Sequence, residues 1–197
     1  GLTQNTKYFY RVRTFNASGE SEYAAAVSVT TLPTPPLAPT QLIASAMSSS
    51  QINLTWQDKS DNETGFKIER ASLISPLVFV EIAKTGANLV NFVETGLMPN
   101  TTYIYRVRAY NLGGESPFSN EARATTLPTR PLAPSSLTAT TLSNTRINLT
   151  WQDNATNEDS FKVERASTGS AQGSPVAFKL IAVVGVYVKN FMDSSLA

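Results

Sequence analysis

The chain repeats itself with a period of 95 residues. The segment GLTQNTKYFYRVRTFNASGES, which begins at Gly1, returns as GLMPNTTYIYRVRAYNLGGES from Gly96. The segment INLTWQD occurs twice in the same way, so that Trp56 is matched by Trp151. A period of this length is too long for a solenoid unit and is close to the size of a whole small β domain. The sequence therefore predicts domain-sized repeats.

The second copy of the repeat is longer than the first. After FKVERAS the shift grows from 95 to 99, which aligns Phe92 with Phe191. The extra four residues fall near Thr168 to Ser174, in the Gly/Ser-rich segment TGSAQGS. Such a composition is typical of a surface loop. We therefore expect an insertion between two strands in this copy.

Apolar residues recur at every second position throughout the repeat, which is the spacing of a half-buried strand. Ile52, Leu54 and Trp56 alternate with polar neighbours, and no segment shows sustained helical spacing with caps. Seven short strands with turns between them predict a two-sheet antiparallel sandwich with essentially no helix. These strands are expected near 40–46, 50–57, 65–71, 77–83, 89–94, 101–110 and 119–126.

Four segments give the chain a resemblance to tandem fibronectin type III domains, particularly bacterial ones. They are PLAP, the Trp of INLTWQD, FKIER, and GLMPNTTYIYRVRAYN. The resemblance implies an all-β chain of immunoglobulin-like sandwiches with seven strands per domain. It also implies a tyrosine corner at Tyr103 and at Tyr8. Gln4 departs from the pattern, because Pro99 stands at that turn in the next copy.

Six aromatic residues are predicted to form the structural core. The two Trp lie in phase with the apolar face, so burial is expected rather than an exposed ring that stacks on carbohydrate. The Tyr of each corner should bury its ring and pass its hydroxyl to the backbone. The predicted core aromatics are Trp56, Trp151, Tyr8, Tyr103, Phe66 and Phe161.

Charged residues follow the outward face of two neighbouring strands. Arg106 and Arg108 lie on the sixth strand, as Arg11 and Arg13 do in the first copy. Glu69, with its counterpart Glu164, lies on the outward face of the third strand. We expect cross-strand pairing in a solvated charge ladder, with a docking face for a partner as the alternative.

Composition excludes several classes of function. The chain has no Cys and no His, so it has no disulfide, no Cys/His zinc site and no histidine base. A net charge of +1 argues against nucleic-acid binding. The most apolar run, Leu180 to Val188, is far shorter than the ~20 residues of a spanning helix. We predict no catalytic residue, metal ligand or cofactor, and no membrane insertion.

Two kinds of local motif remain open. The loop QDKSDNETG carries acids, but Asp61 is matched by Thr156 in the next copy, so turn formation is favoured over a calcium site. Six Asn head an N-x-S/T triplet and are possible glycosylation sites, although chance matches are expected in so polar a chain. They are Asn16, Asn53, Asn62, Asn100, Asn148 and Asn154.

The repeat boundaries divide the chain unevenly. Residues 1–32 match the last two strands of a repeat, 39–127 match a complete one, and 134–197 match the first five strands. The intervening segments 33–38 and 128–133 are Pro-rich linkers, which should be stiff and extended. A two-stranded hairpin and a sandwich without its last strands are each expected to be marginal alone.

The two partial repeats are complementary. We predict that 1–32 of one copy completes 134–197 of the next, head-to-tail, which builds a filament. The same repeats can instead continue in one longer polypeptide, and a third possibility is a proteolytic or partly ordered fragment. The complementing positions are Tyr8, Tyr10, Val12, Phe161 and Val163.

The predicted function is that of a non-catalytic structural or adhesive protein, extracellular or on a cell surface. Its partners are other copies of itself, with a glycan or cell-surface molecule as a possible further partner. The alternative is a spacer array of a larger secreted carbohydrate-active enzyme.

Overall fold

A computed structural model describes residues 1–73, 77–167 and 177–194. The predicted insertion at Thr168 to Ser174 lies outside these residues. The chain divides into two compact units, 1–127 and 128–197. The described residues contain strands and turns and no helix, so the all-β fold class is confirmed. Accordingly, no helix in the described part of the chain has the length and apolar character needed to cross a bilayer.

The strands are numbered in chain order. The first unit contains β1 Lys7–Tyr10, β2 Phe15–Asn16, β3 Gly19–Glu20, β4 Val27–Thr30, β5 Thr40–Ala46, β6 Gln51–Gln57, β7 Gly65–Ser72, β8 Val80–Gly86, β9 Asn91–Thr95, β10 Thr102–Asn111, β11 Gly114–Glu115 and β12 Ala122–Thr125. The second unit contains β13 Ser135–Ser143, β14 Arg146–Gln152, β15 Ser160–Arg165, β16 Lys179–Gly185 and β17 Asn190–Asp193.

Strands β5 to β12 form a two-sheet sandwich. One sheet has the order β5-β6-β9, and the other has the order β11-β10-β7-β8 with β12 also on β10. All seven predicted strands are present, and β11 is an added two-residue strand. The inward side chains of both sheets meet in one apolar core, because alternation places every second residue on the inner face.

Strand β10 is central to the second sheet. It pairs with β7 over eight residues, from Tyr103 opposite Ser72 to Tyr110 opposite Gly65. On its other edge, it pairs with β12 and β11, which are separated by an irregular segment. Ser116 and Ser119 satisfy the backbone there, since their hydroxyls accept from the amides of Ala109 and Val107 at 2.9 and 3.1 Å.

Residues 1–32 reproduce only the β10–β12 part of this arrangement. Strand β1 pairs antiparallel with β4, with Tyr8 opposite Val29, and β2 pairs with β3. Among the strands described, β1 has no neighbour on the edge where β10 contacts β7.

Residues 135–193 reproduce the remaining strands. They form a three-stranded sheet β13-β14-β17 and a two-stranded sheet β15-β16. Trp151 and Phe161 pack across the two sheets with ring centroids 5.5 Å apart, as Trp56 and Phe66 do in the complete sandwich. Strand β15 has no second partner among the described strands, whereas its counterpart β7 has one.

Candidate strand-complementation interface

The core of the complete sandwich takes half of its buried residues from the segment that corresponds to 1–32. Tyr105 and Val107 on β10 are fully buried, and Ala122 on β12 closes the core beside them. The full set of twelve is Leu42, Ile52, Leu54, Trp56, Phe66, Ile68, Leu97, Tyr103, Tyr105, Val107, Ala109 and Ala122. A sandwich that lacked the last six would have one wall of its core uncovered.

The corresponding residues in 1–32 are largely exposed. Val12 and Val27, which match Val107 and Ala122, are 70% and 65% exposed. Tyr10, which matches the fully buried Tyr105, is 45% exposed. Tyr8, predicted as a core residue, is only half-buried here, because no second sheet faces the β1–β4 pair among the described strands.

The second unit has an apolar wall of its own. Trp151, Phe161 and Val163 are buried, with 8–9% exposure each. Leu137, in contrast, is 70% exposed, whereas its counterpart Leu42 in the complete sandwich is 3% exposed. A groove of about 180 Å³ opens beside it, lined by Pro134, Leu137, Leu149, Trp151, Phe161, Lys162, Val163 and Glu164. Four of the lining residues lie on β15, whose counterpart β7 pairs with β10 in the complete sandwich.

Both tyrosine corners are formed. The amide of Met98 donates to the hydroxyl of Tyr103 at 3.1 Å, and the amide of Thr3 donates to that of Tyr8 at 2.6 Å. Asn100, between Met98 and Tyr103, adopts the left-handed backbone conformation with φ of 48°, which Asn tolerates better than most residues. The tyrosine corner of 1–32 is therefore formed although no second sheet faces it among the described strands.

A buried polar cluster joins β10 and β7 of one sheet to β9 of the other in the complete sandwich. The hydroxyl of Tyr105 donates to Oε2 of Glu94 at 2.7 Å, and Arg70 binds the other carboxylate oxygen. Burial, reinforced by the hydrogen bond to Glu94, raises the pKa of Tyr105 well above its ordinary value. In the second unit, Arg165 donates to Asp193 at 2.9 Å, at the positions of Arg70 and Glu94.

The predicted cross-strand pairing is present in the complete sandwich. Arg106 donates to Oε2 of Glu69 at 2.6 Å, and Arg108 donates to Oε1 at 3.2 Å. Glu69 is only 7% exposed, so the prediction of a solvated charge ladder is wrong at this residue. The two guanidinium groups and the aromatic rings of Phe79 and Phe118 cover this face of the sheet.

A second ion pair extends the same outer face. Lys67 donates to Glu115, which also binds Arg108. The hydrogen bond between them lowers the pKa of Glu115 below its ordinary range and raises that of Lys67. The pair links β7 to β11 through side chains, across the outer face of β10.

In the two partial repeats, the predicted pairing residues are separated. Arg11 and Arg13 stack over the ring of Tyr23, at 3.7 and 4.7 Å from its centroid, and Arg13 also binds Glu20. Glu164, on β15, is exposed.

The first Pro-rich segment is anchored at the pole of the complete sandwich. The carbonyl of Thr34 accepts from the side-chain amides of Asn62 and Asn111 at 3.1 and 2.8 Å. In the second unit, Asn157 donates to the carbonyl of Thr129 at 2.6 Å in the same way. These Asn-to-Thr hydrogen bonds are called the clasp below. The sequence analysis did not predict the clasp, although Thr34 and Asn62 recur as Thr129 and Asn157 with the 95-residue shift.

The six N-x-S/T asparagines lie in different settings. Asn16, Asn62 and Asn100 are exposed, whereas Asn53, Asn148 and Asn154 are half-buried. The side-chain nitrogen of Asn62 donates to Thr34, and that of Asn154 donates to the carbonyl of Ala133 at 2.9 Å. A glycan would be attached at this nitrogen, so it would compete with these two hydrogen bonds.

The acidic loop after β6 makes turns. Oδ1 of Asp58 accepts from the amide of Ser60 at 3.0 Å, and Asp153 caps Ala155 in the same way at 3.1 Å. Within the described ranges, no group of three or more acidic side chains converges as a metal site would require.

These features define the class of protein. The chain has a tandem β-sandwich fold, with one complete sandwich, a partial repeat before it and another after it in the sequence, and Pro-rich segments between the repeats. Residues 37–125 match the family model described as the Fibronectin type III domain. The complete sandwich is therefore a fibronectin type III domain, as the resemblance implied.

Relatives share this sequence over only a small part of their own length. Exoglucanase B of Cellulomonas fimi is 32% identical over 169 residues, which cover 77% of this chain and 15% of that protein. Contactin-2 of Homo sapiens is 30% identical over 151 residues, which cover 74% of this chain and 14% of that protein. The chain thus spans about one seventh of the length of these relatives.

A solved structure, chicken CNTN1 FN1-FN3 domains, aligns over 99% of this chain and 67% of its own, with a TM-score of 0.45 and 18% identity.

Proposed function

We propose that this chain is a non-catalytic structural repeat protein of an extracellular or cell-surface filament. Residues 1–32 of one copy insert beside β15 of the next copy and complete its sandwich. The observation that carries the proposal is the pairing of exposed apolar surfaces. Val12 and Leu137, 70% exposed each, both correspond to positions that are almost fully buried in the complete sandwich.

The contact between 1–32 of one copy and β15 of the next is called the joint below. The complete sandwich supplies the strand register expected for it. The β10–β7 pairing, carried over by 95 residues, places Tyr10 opposite Arg165, Val12 opposite Val163 and Thr14 opposite Phe161. These pairings give the edges of β1 and β15 a backbone hydrogen-bonding partner. An exposed strand edge without such a partner tends to pair with other chains and aggregate. A strand supplied by a neighbour is a known mode of recognition.

The joint is heterologous, since the surface of 1–32 differs from the surface that it contacts. Such a contact propagates rather than closing into a dimer. The same joint can form between successive repeats of one longer polypeptide, where the neighbouring strands are covalently connected.

Light scattering of the purified 197-residue chain over a dilution series tests the proposal. We expect the mass to rise with concentration in steps of 21.3 kDa. Val12→Asp should keep the chain at 21.3 kDa, because it introduces a charge into the joint's core. Ser28→Asp is the matched control, since Ser28 lies on β4 at the position of Arg123, whose side chain is 59% exposed in the complete sandwich. A wild-type chain that stays monomeric up to its solubility limit would overturn the proposal.

A second candidate function is that of a spacer array in a larger secreted enzyme that acts on carbohydrate. The match to Exoglucanase B, of which this chain spans 15%, favours it. Under this alternative the repeats separate other domains and bind no polysaccharide themselves, because Trp56 and Trp151 are buried. Affinity electrophoresis of the chain in gels with and without cellulose derivatives checks this: retardation would contradict a pure spacer.

A further inference from the structure

The outer face of the complete sandwich carries a clamp around Arg106. The guanidinium carbon lies 4.0 Å from the ring centroid of Phe79 and 3.7 Å from that of Phe118, so the cation is held between two aromatic faces. The same group donates to Oε2 of Glu69 through Nε at 2.8 Å and through a terminal nitrogen at 2.6 Å. One arginine thereby joins β7, β10 and the segments that flank β8 and β12.

The partial repeats carry the same parts on two separate pieces. Arg11 lies over Tyr23 at 3.7 Å, the same separation as between Arg106 and Phe118. The other two parts, Glu164 and Phe178, are in the second unit, and Phe178 is 66% exposed. The repeat shifts of 95 and 99 place them at the positions of Glu69 and Phe79.

We propose that Arg11 of one copy closes this clamp on a second copy. It docks between its own Tyr23 and the second copy's Phe178, and it donates to the second copy's Glu164. This inference rests on the proposed function. It adds the contact that determines the strand register between the two copies.

The clamp selects the register because β pairing otherwise tolerates slippage by two residues, which preserves the inward and outward faces. A two-residue slip in one direction places Arg11 opposite Lys162, which replaces attraction by like-charge repulsion. A slip in the other direction moves Arg11 away from both Glu164 and Phe178 and places Arg13, rather than Arg11, opposite Glu164. Only the register of the complete sandwich gives Arg11 an acid and two rings together.

The clamp's energetic weight follows from burial. In the complete sandwich the Glu69 side chain is 9% exposed, so its charge depends on the arginines that cover it. When one partner of such a desolvated pair is removed, affinity commonly falls by roughly 30-fold or more. Reversal of the charge at Glu164 should have at least this effect on the joint.

Sedimentation velocity of wild type and Glu164→Arg tests the inference. We expect association of the variant to be at least ~30-fold weaker. Glu121→Arg is the matched control, because it makes the same charge change at a partly exposed position of the complete sandwich and should associate like wild type. Phe178→Ala, which removes one ring and no charge, should weaken association while hydrogen exchange of β15 and β16 in the monomer is unchanged.

Cross-linking reports the register directly, since the chain has no native Cys. Phe9 and Ala166 stand at the positions of Ile104 and Ala71, which are opposite each other. Phe9→Cys with Ala166→Cys should give disulfide-linked multimers, and adding Glu164→Arg should abolish them. If wild type associates and Glu164→Arg associates equally well, the clamp is wrong and the head-to-tail joint survives. If wild type does not associate, both proposals fail.

Discussion

The replacement of Leu137 by Ala measures how much of the joint is apolar burial. In the chain alone, Leu137 is 70% exposed, so its truncation should change the stability of the second unit by no more than about 0.5 kcal/mol. In the joint, it should take the place of Leu42, which is 3% exposed. Truncation of a buried Leu costs about 2–5 kcal/mol, which corresponds to a roughly 30- to 4,000-fold weaker association.

The assay is sedimentation velocity over a dilution series, with hydrogen exchange of β13 and β14 as the check on the monomer. Leu180→Ala is the control, since Leu180 is also exposed, at 54%, but stands at the position of Glu81, whose side chain stays 39% exposed in the complete sandwich. If Leu137→Ala associates within twofold of wild type, or no more weakly than Leu180→Ala, the complete sandwich is not the correct template for the joint.

Three further predictions concern single contacts. Tyr105→Phe removes a hydrogen bond to the buried carboxylate of Glu94 and should destabilise the complete sandwich by about 1.5–3 kcal/mol, seen as faster hydrogen exchange of β10; unchanged exchange would contradict it. The pKa of Glu115 is lowered from 4.5 and that of Lys67 is raised from 10.5, so their pairing stabilises between these pH values and is lost outside them. Urea unfolding of wild type and Glu115→Gln should therefore differ at pH 7 and converge as the pH falls below 4.5; a constant difference would argue against the pair. Ala25→Asn should tighten association about tenfold, because it supplies the joint with an amide that can make two hydrogen bonds; an unchanged dilution series would count against it.

The sequence predicted the strands because their signal is local. The alternation in INLTWQD depends on neighbours two residues apart, and the strand found at Gln51–Gln57 differs from the predicted 50–57 by one residue. The fourth strand lies at Val80–Gly86 rather than 77–83. The apolar run from Leu77 extends the pattern towards the N terminus, but pairing with β7 reaches only Val80, opposite Arg70.

The clamp and the clasp could not be predicted in this way, because their parts are far apart in sequence. The bond from Asn111 to Thr34 joins residues 77 positions apart, and nothing in either neighbourhood indicates the other. The prediction paired Glu69 with the arginines correctly but left it solvated, because the two rings that cover Arg106 come from irregular segments without alternation. Internal repetition was the signal that could have indicated the clamp, since Tyr23 aligns with Phe118 and Phe178 aligns with Phe79.

The proposed joint would lack one hydrogen-bonded bridge that the complete sandwich has between its two sheets. The side chain of Asn120 donates to the carbonyl of Leu42 and accepts from its amide, at 2.9 Å each, and so bridges the two sheets. Ala25 occupies the position of Asn120 in 1–32 and cannot make this bridge to Leu137. The segment that ends the complete sandwich keeps this bridge, so a 1–32 segment from another copy should not displace it. In the proposed joint, 1–32 should therefore bind beside β15, where no described strand occupies the corresponding edge.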